Sequence, residues 1–163
     1  MKEKLQQEWA SFIEEATTEE QEILRLFLNG IKRKKSGMNE SYISSFLQIE
    51  KNTVADGLEM TFPITPFALN SLDIVHGGVT ATVLDTVMGT YAHMLISKDR
   101  AAVTSEMNLH FLAKGVGEKI YSKATLIHKG NTRLVMEAKA YREDGTLMAH
   151  ATGTFHIIPR PEK

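Results

Sequence analysis

The sequence predicts an α+β protein in which one curved antiparallel sheet wraps around a single central helix. Three observations carry this expectation. The stretch from Gly78 to Ile96, GVTATVLDTVMGTYAHMLI, is apolar or small on nearly every face, and such a helix needs protein all round it. Four strand-like segments follow it, at about 101–113, 118–128, 132–142 and 146–158, with Gly115/Gly117, Gly130-Asn131 and Asp144-Gly145 as turns. Two more strand-like runs precede it, on either side of Asp56-Gly57.

Taken in order, residues 1–40 read as a helical extension and 41–163 as the main domain. Leu5, Trp9, Phe12, Ile13 and Ala16 share one face at helical spacing. Thr18 and Gln21 suggest a capping box for a second helix with Ile23, Leu24, Phe27, Leu28 and Ile31 as its apolar residues, and Gly30 is placed to end it. Lys32-Arg33-Lys34-Lys35 then lies where cations suit a helix C-terminus. From Ser44 the pattern turns to strands, with alternating apolar positions through FLQIEKNTVADGLEMTFPIT. Pro63 and Pro66 break that regularity, and Asn70 leads into the glycines before the central helix. Short links between the last four strands predict an antiparallel meander. Ala149, Ala151 and Gly153, on one face of the last strand, would let helix and sheet approach closely.

Composition excludes several classes of function. The chain of 163 residues has a net charge of −1 and no cysteine, so thiolate metal sites, disulfide scaffolds and a cysteine nucleophile are ruled out. Residues 1–31 hold three basic residues against seven acidic ones, the wrong balance for a nucleic-acid arm. The N-terminus lacks the apolar run of a secretory signal, and the longest apolar stretch carries Asp85 and His93. A cytoplasmic protein without membrane or nucleic-acid partners is the expectation. The six histidines lack metal-ligand spacing, and neither a serine elbow, a phosphate loop nor a dinucleotide fingerprint is present.

What remains is VHGGVTATVLDTV, Val75 to Val87. Gly77 and Gly78 at a helix start leave backbone N–H groups open at the positive end of the helix dipole, a setting for an anion or a developing oxyanion. Asp85 in an apolar helix would be desolvated, which makes a carboxylate a stronger base. It could equally bond a backbone group or Thr82 or Thr86. Eight residues separate Gly77 from Asp85, roughly 12 Å of helix. One small carbonyl can hardly touch both, whereas two antiparallel helices from a symmetric pair would set the glycines of one chain beside the aspartate of the other.

Asn70, His76-Gly77-Gly78, VTATVLDT with Asp85, VTSEMNLHFL and DGTLMAHATGTF together resemble the hotdog-fold acyl-CoA thioesterases of the phenylacetate-pathway (PaaI-like) type, over about residues 45–158. The resemblance implies a hotdog fold, hydrolysis of an acyl- or aryl-CoA thioester, and a homodimer or dimer of dimers. No cofactor is implied, coenzyme A being part of the substrate. Asp85 matches the family's catalytic base or nucleophile, and Gly77 the backbone N–H that polarises the carbonyl. Asn70 matches an active-site amide supplied with Gly77 by the opposite subunit. His76 matches a supporting loop residue, and Thr104 a hydroxyl that orients water beside Asp85. Gly78, Lys114, Lys129, Asn131 and Arg133 are candidates for substrate contact. A non-catalytic acyl-CoA-binding sensor is the alternative reading. A dehydratase would need His93, which the family pattern does not support.

Overall fold

The computed structural model describes residues 1–161. The chain divides into two compact units, Met1–Gln48 and the remainder from Ile49.

The first unit holds α1 (Lys2–Glu15), α2 (Thr18–Lys35) and α3 (Tyr42–Phe46). The capping box at the start of α2 is one residue earlier than the sequence suggested. Glu20 N–H donates to Thr17 Oγ1 (3.3 Å), and Thr17 N–H donates to the Glu20 carboxylate (2.7 Å). The bond from Thr17 N–H, with a second from the Thr17 hydroxyl (2.7 Å), holds the Glu20 carboxyl below the usual carboxylate range. Gly30 does not end the helix. It is buried within it, where a Cβ would lie 2.2 Å from the Phe46 ring, so this glycine serves the packing of α3 on α2. The helix stops at Lys35 instead. Gly37 takes a left-handed φ of 78°, while Gly37 N–H donates to Lys34 O and Met38 N–H to Arg33 O, which is a Schellman closure. Lys32 to Lys35 do form the last turn, beside the carbonyl end of the dipole. Ser44 is helical rather than the start of a strand, because Ser41 caps α3 through a bond from Ser44 N–H (3.2 Å).

The second unit is one six-stranded antiparallel sheet and one long helix. The strands are β1 (Glu50–Val54), β2 (Gly57–Pro63), β3 (Arg100–Phe111), β4 (Lys119–Lys129), β5 (Arg133–Arg142) and β6 (Leu147–Pro159), with α4 (Gly77–Met94) between β2 and β3. Their order across the sheet is β1-β2-β4-β5-β6-β3. The meander is therefore confined to β4-β5-β6, and β3 pairs with β6 rather than β4. The link after β3 is held away from a hairpin turn: the N–H groups of Leu112 and Ala113 both donate to Met148 O (2.9 and 3.2 Å), and Val75 N–H donates to Gly115 O (2.9 Å). A Cβ on Gly115 would meet Val75 and Met148 within 3 Å, so the link crosses there only as glycine.

Val83, Leu84, Val87 and Met88 of α4 pack on the inner face of the sheet, against the side of Met60, Phe62, Leu134, Met136 and Phe155, all of them buried. Burying each such side chain is worth about 1.5–3 kcal/mol. Ala149, Ala151 and Gly153 are buried as the sequence suggests, and a Cβ on Gly153 would lie 3.2 Å from Met88. The helix is not enclosed all round, however. Gly78 and His93 are exposed and Thr82, Asp85 and Gly89 only half-buried, because the sheet of one chain covers a single side of α4. Among the described residues no helix is long and apolar enough to cross a membrane.

Candidate active site

The start of α4 is set by His76. Its N–H donates to Ala68 O (2.7 Å), which ties the loop to the turn over Pro66–Ala68. Its Nδ1 accepts the Gly78 N–H at 2.9 Å, which makes the ring the N-cap of the helix and leaves the proton on Nε2. The Gly78 N–H is thereby occupied, contrary to the expectation of two open donors. The Gly77 N–H has no acceptor among the described residues. No acidic side chain stands in the first turn of α4, so the positive end of the dipole is uncompensated. A Cβ on Gly77 would come within 3.2 Å of the Phe111 ring, and the absence of a side chain keeps this donor open beside that ring.

Asn70 prepares the same surface. Its Oδ1 accepts from Leu72 N–H (2.9 Å) and Ile74 N–H (3.4 Å), a turn that fixes the amide, while its Nδ2 has no partner among the described residues. Asn70, Gly77, Thr80, Phe111 and Lys114 line one depression. Lys114 adds a cation to the positive helix end there. The structure thus brings together three of the residues singled out from the sequence. It also adds Phe111, 59% exposed, which lies within the quoted NLHFL run but was not singled out by any local chemical signal.

Asp85 lies two turns further along α4. Thr104 Oγ1 donates to Asp85 Oδ1 at 2.7 Å, a short bond of the charge-assisted kind. Thr104 reaches the helix from β3 beside a bulge, where the β3–β6 register shifts between Thr104 and Glu106. The competing roles for the carboxylate are not taken up: Thr82 Oγ1 donates to Gly78 O instead (2.9 Å). Asp85 Oδ2 has no partner among the described residues. The enclosure foreseen for this carboxylate is incomplete, since one chain leaves Asp85 half-buried.

The remaining candidates separate. Arg133 opens β5 and lines a second depression with Thr104, Ser105, Glu106 and His156. His156 is paired with Arg133 in the β5–β6 register and was not picked out from sequence. Lys129 is spent elsewhere, donating to Leu95 O at the C-terminal end of α4 (2.5 Å). Asn131 is exposed in the turn between β4 and β5. His93 Nδ1 bonds Gly89 O (2.8 Å), and its Nε2 accepts Ala102 N–H (3.2 Å), so neither nitrogen is left for acid–base work. Among the described residues no cluster of histidine and acidic side chains could hold a metal ion.

One chain therefore carries two half-sites on α4. At its N-terminus stand an open N–H, an amide and a lysine; two turns on stands a carboxylate oriented by a hydroxyl. The first can receive a developing negative charge, and the second can take a proton from water.

The profile of the thioesterase superfamily matches residues 72–149, a range that includes Gly77, Asp85, Thr104 and Lys114 and begins just after Asn70. The crystal structure of the BH2602 protein from Bacillus halodurans, determined with CoA, is 34% identical, covers 93% of this chain and 99% of its own, and superposes with a TM-score of 0.86. The medium/long-chain acyl-CoA thioesterase YigI of Escherichia coli is 28% identical over 97 residues, 52% of this chain and 63% of that protein. Acyl-coenzyme A thioesterase 13 of mouse is 29% identical over 90 residues, 54% and 64% of the two chains. The chain thus spans less than two thirds of these curated relatives. Thioesterase HI1161 of Haemophilus influenzae, at 22% identity and a TM-score of 0.70, shares the fold. The profile match and the 34% identity to BH2602 place the chain in the thioesterase superfamily, and its long helix packed on one six-stranded antiparallel sheet is the hotdog fold.

Proposed function

We propose that this protein hydrolyses acyl-CoA thioesters to the carboxylic acid and free coenzyme A. The observation that carries the reading is the Asp85 carboxylate, with Oδ1 held by Thr104 and Oδ2 left unpartnered, on the helix whose N-terminus presents the open Gly77 N–H. Asp85 takes a proton from a water molecule as that water attacks the thioester carbonyl. The carbonyl oxygen gains negative charge against Gly77 N–H and the dipole behind it. The C–S bond breaks, coenzyme A leaves as a thiolate, and the proton held by Asp85 neutralises it. Direct attack by Asp85, giving a mixed anhydride that water then cleaves, uses the same geometry. Asn70 Nδ2 supplies a further donor, and Lys114 and Arg133 suit the phosphates of coenzyme A.

The two half-sites lie about 12 Å apart along α4. A single thioester is served only if Gly77 and Asn70 come from one chain and Asp85 and Thr104 from another. The half-covered side of α4 and the open edge of β3 support a pair of chains as the working unit, and such pairs can assemble further into a dimer of dimers. A cytoplasmic location is part of the same reading.

The test is thiol release from a panel of aromatic, medium-chain and long-chain acyl-CoAs, with Asp85→Asn as the blank. Loss of turnover by about 10²-fold or more is expected for removal of a catalytic base. Full turnover by Asp85→Asn would refute the mechanism. A fully active monomer in light scattering would refute the shared site.

A further inference from the structure

We propose that the α1–α2 pair is a self-association surface, occupied by the same pair from a second copy of the chain in antiparallel register. The inference does not rest on the enzymatic reading. No residue of α1 is buried. Leu5, Trp9 and Ile13 of α1 and Phe27, Leu28 and Ile31 of α2 line one apolar groove. Leu5 is 52% exposed, Ile13 47% and Leu28 43%. Together with Phe12 these side chains leave on the order of 500 Å² of apolar surface open, the size of patch that marks an interaction site and over half of the ~800 Å² a side of a standard interface.

The charges identify the occupant. The helices are joined by Ala16 and Thr17 alone, and the Trp9 and Phe27 rings lie 6.4 Å apart, so α2 runs back along α1. Glu14, Glu15 and Glu19 therefore sit at the linked end, while Lys2, Lys32 and Lys35 sit at the other. None of these six has an ion pair among the described residues. One end is acidic, the other basic, and the groove between them is apolar. Two copies related by a two-fold axis through the groove, running oppositely, would place each acidic end on a basic end. A parallel pairing would oppose like charges. An anionic surface or polyanion would meet the glutamates, which disfavours it as the occupant.

The chain has no cysteine, so one introduced thiol reports the contact cleanly. Ala10 lines the groove, and packed helices lie about 8–10 Å apart, within reach of a short bismaleimide. Full-length Ala10→Cys should cross-link to a covalent dimer at micromolar concentration. Two further variants, checked for unchanged helicity, carry the charge argument: Glu14→Lys with Glu15→Lys, and Lys32→Glu with Lys35→Glu, each on the Ala10→Cys background. Each alone should lose at least tenfold in cross-linked yield, and mixing the two should restore it, because only the mixed pair is complementary at both ends. No cross-link in the parent overturns the proposal. Equal yields from the two variants alone and mixed overturn it as well.

Discussion

Replacing Thr104 by valine is the sharpest perturbation of the carboxylate site. The side chain keeps its shape and loses only the hydroxyl that donates to Asp85 Oδ1 at 2.7 Å. Hydrogen bonds to charged groups contribute about 1.5–3 kcal/mol. Thr104 is exposed and Asp85 half-buried in the single chain, which places this bond near the lower end. A loss of roughly 1–1.5 kcal/mol of transition-state stabilisation corresponds to about 5- to 12-fold in kcat. The assay is initial-rate thiol release from one good acyl-CoA substrate across a range of concentrations, for wild type, Thr104→Val, Asp85→Asn and the double variant. KM should change little if, as proposed, Thr104 acts only by holding the Asp85 carboxylate. The double variant should be no slower than Asp85→Asn alone, since a residue that acts through Asp85 has nothing left to position. Wild-type kcat in Thr104→Val, or additive losses in the double variant, would refute this role for Thr104.

Other consequences are as direct. His76→Ala removes the acceptor for Gly78 N–H and should destabilise the protein by about 1 kcal/mol in urea titration, while His76→Asn, a good N-cap, should recover most of it. Gly30→Ala gains helix propensity but sets a Cβ 2.2 Å from the Phe46 ring; a net loss of about 1–3 kcal/mol from overpacking is expected, read as earlier melting of the helical signal. The Glu137 carboxyl is held below the usual range by the hydrogen bond from His150 first and by Lys139 second. A depressed carboxyl stabilises the fold above its unfolded pKa of about 4.3 and loses that contribution as pH falls through the folded value. Glu137→Gln should therefore be less stable than wild type at neutral pH, by about 0.5 kcal/mol or less given the solvent around the pair, and the difference should vanish toward pH 3. An unchanged difference between pH 7 and pH 3 would contradict the assignment.

Much of the fold is legible in the residues because local chemistry and global packing agree. The all-round apolar stretch becomes α4, and each of the four later strands lies within two residues of its expected bounds. The failures have two causes, a tertiary partner that local pattern does not reveal and a local cap whose side-chain direction spacing does not give. Gly30 reads as a helix stop but is required by Phe46, and Ser44 reads as strand but follows a Ser41 cap. The pairing of β3 with β6 depends on where a seven-residue link can cross, and no periodicity encodes that. At the candidate site, Gly77 and Asp85 are legible as unusual residues in an apolar helix. The capture of Gly78 N–H by His76, and the diversion of Lys129 to Leu95 O, depend on side-chain directions that spacing does not give.

The place of β3 at the edge of the sheet bears on how the chain folds during synthesis. Arg100 faces Pro159 and Phe111 faces Ala149, so β3 leaves the ribosome well before β6, its neighbouring strand in the sheet, exists. Until β6 arrives, both of its long edges are open templates for stray strand addition, and the large sequence separation makes the correct closure slow. Glu106 stands in the middle of this strand, a charge where an intruding strand would have to bury it. The same edge that could receive a second chain in the finished protein is therefore the segment most in need of protection while the first is still being made.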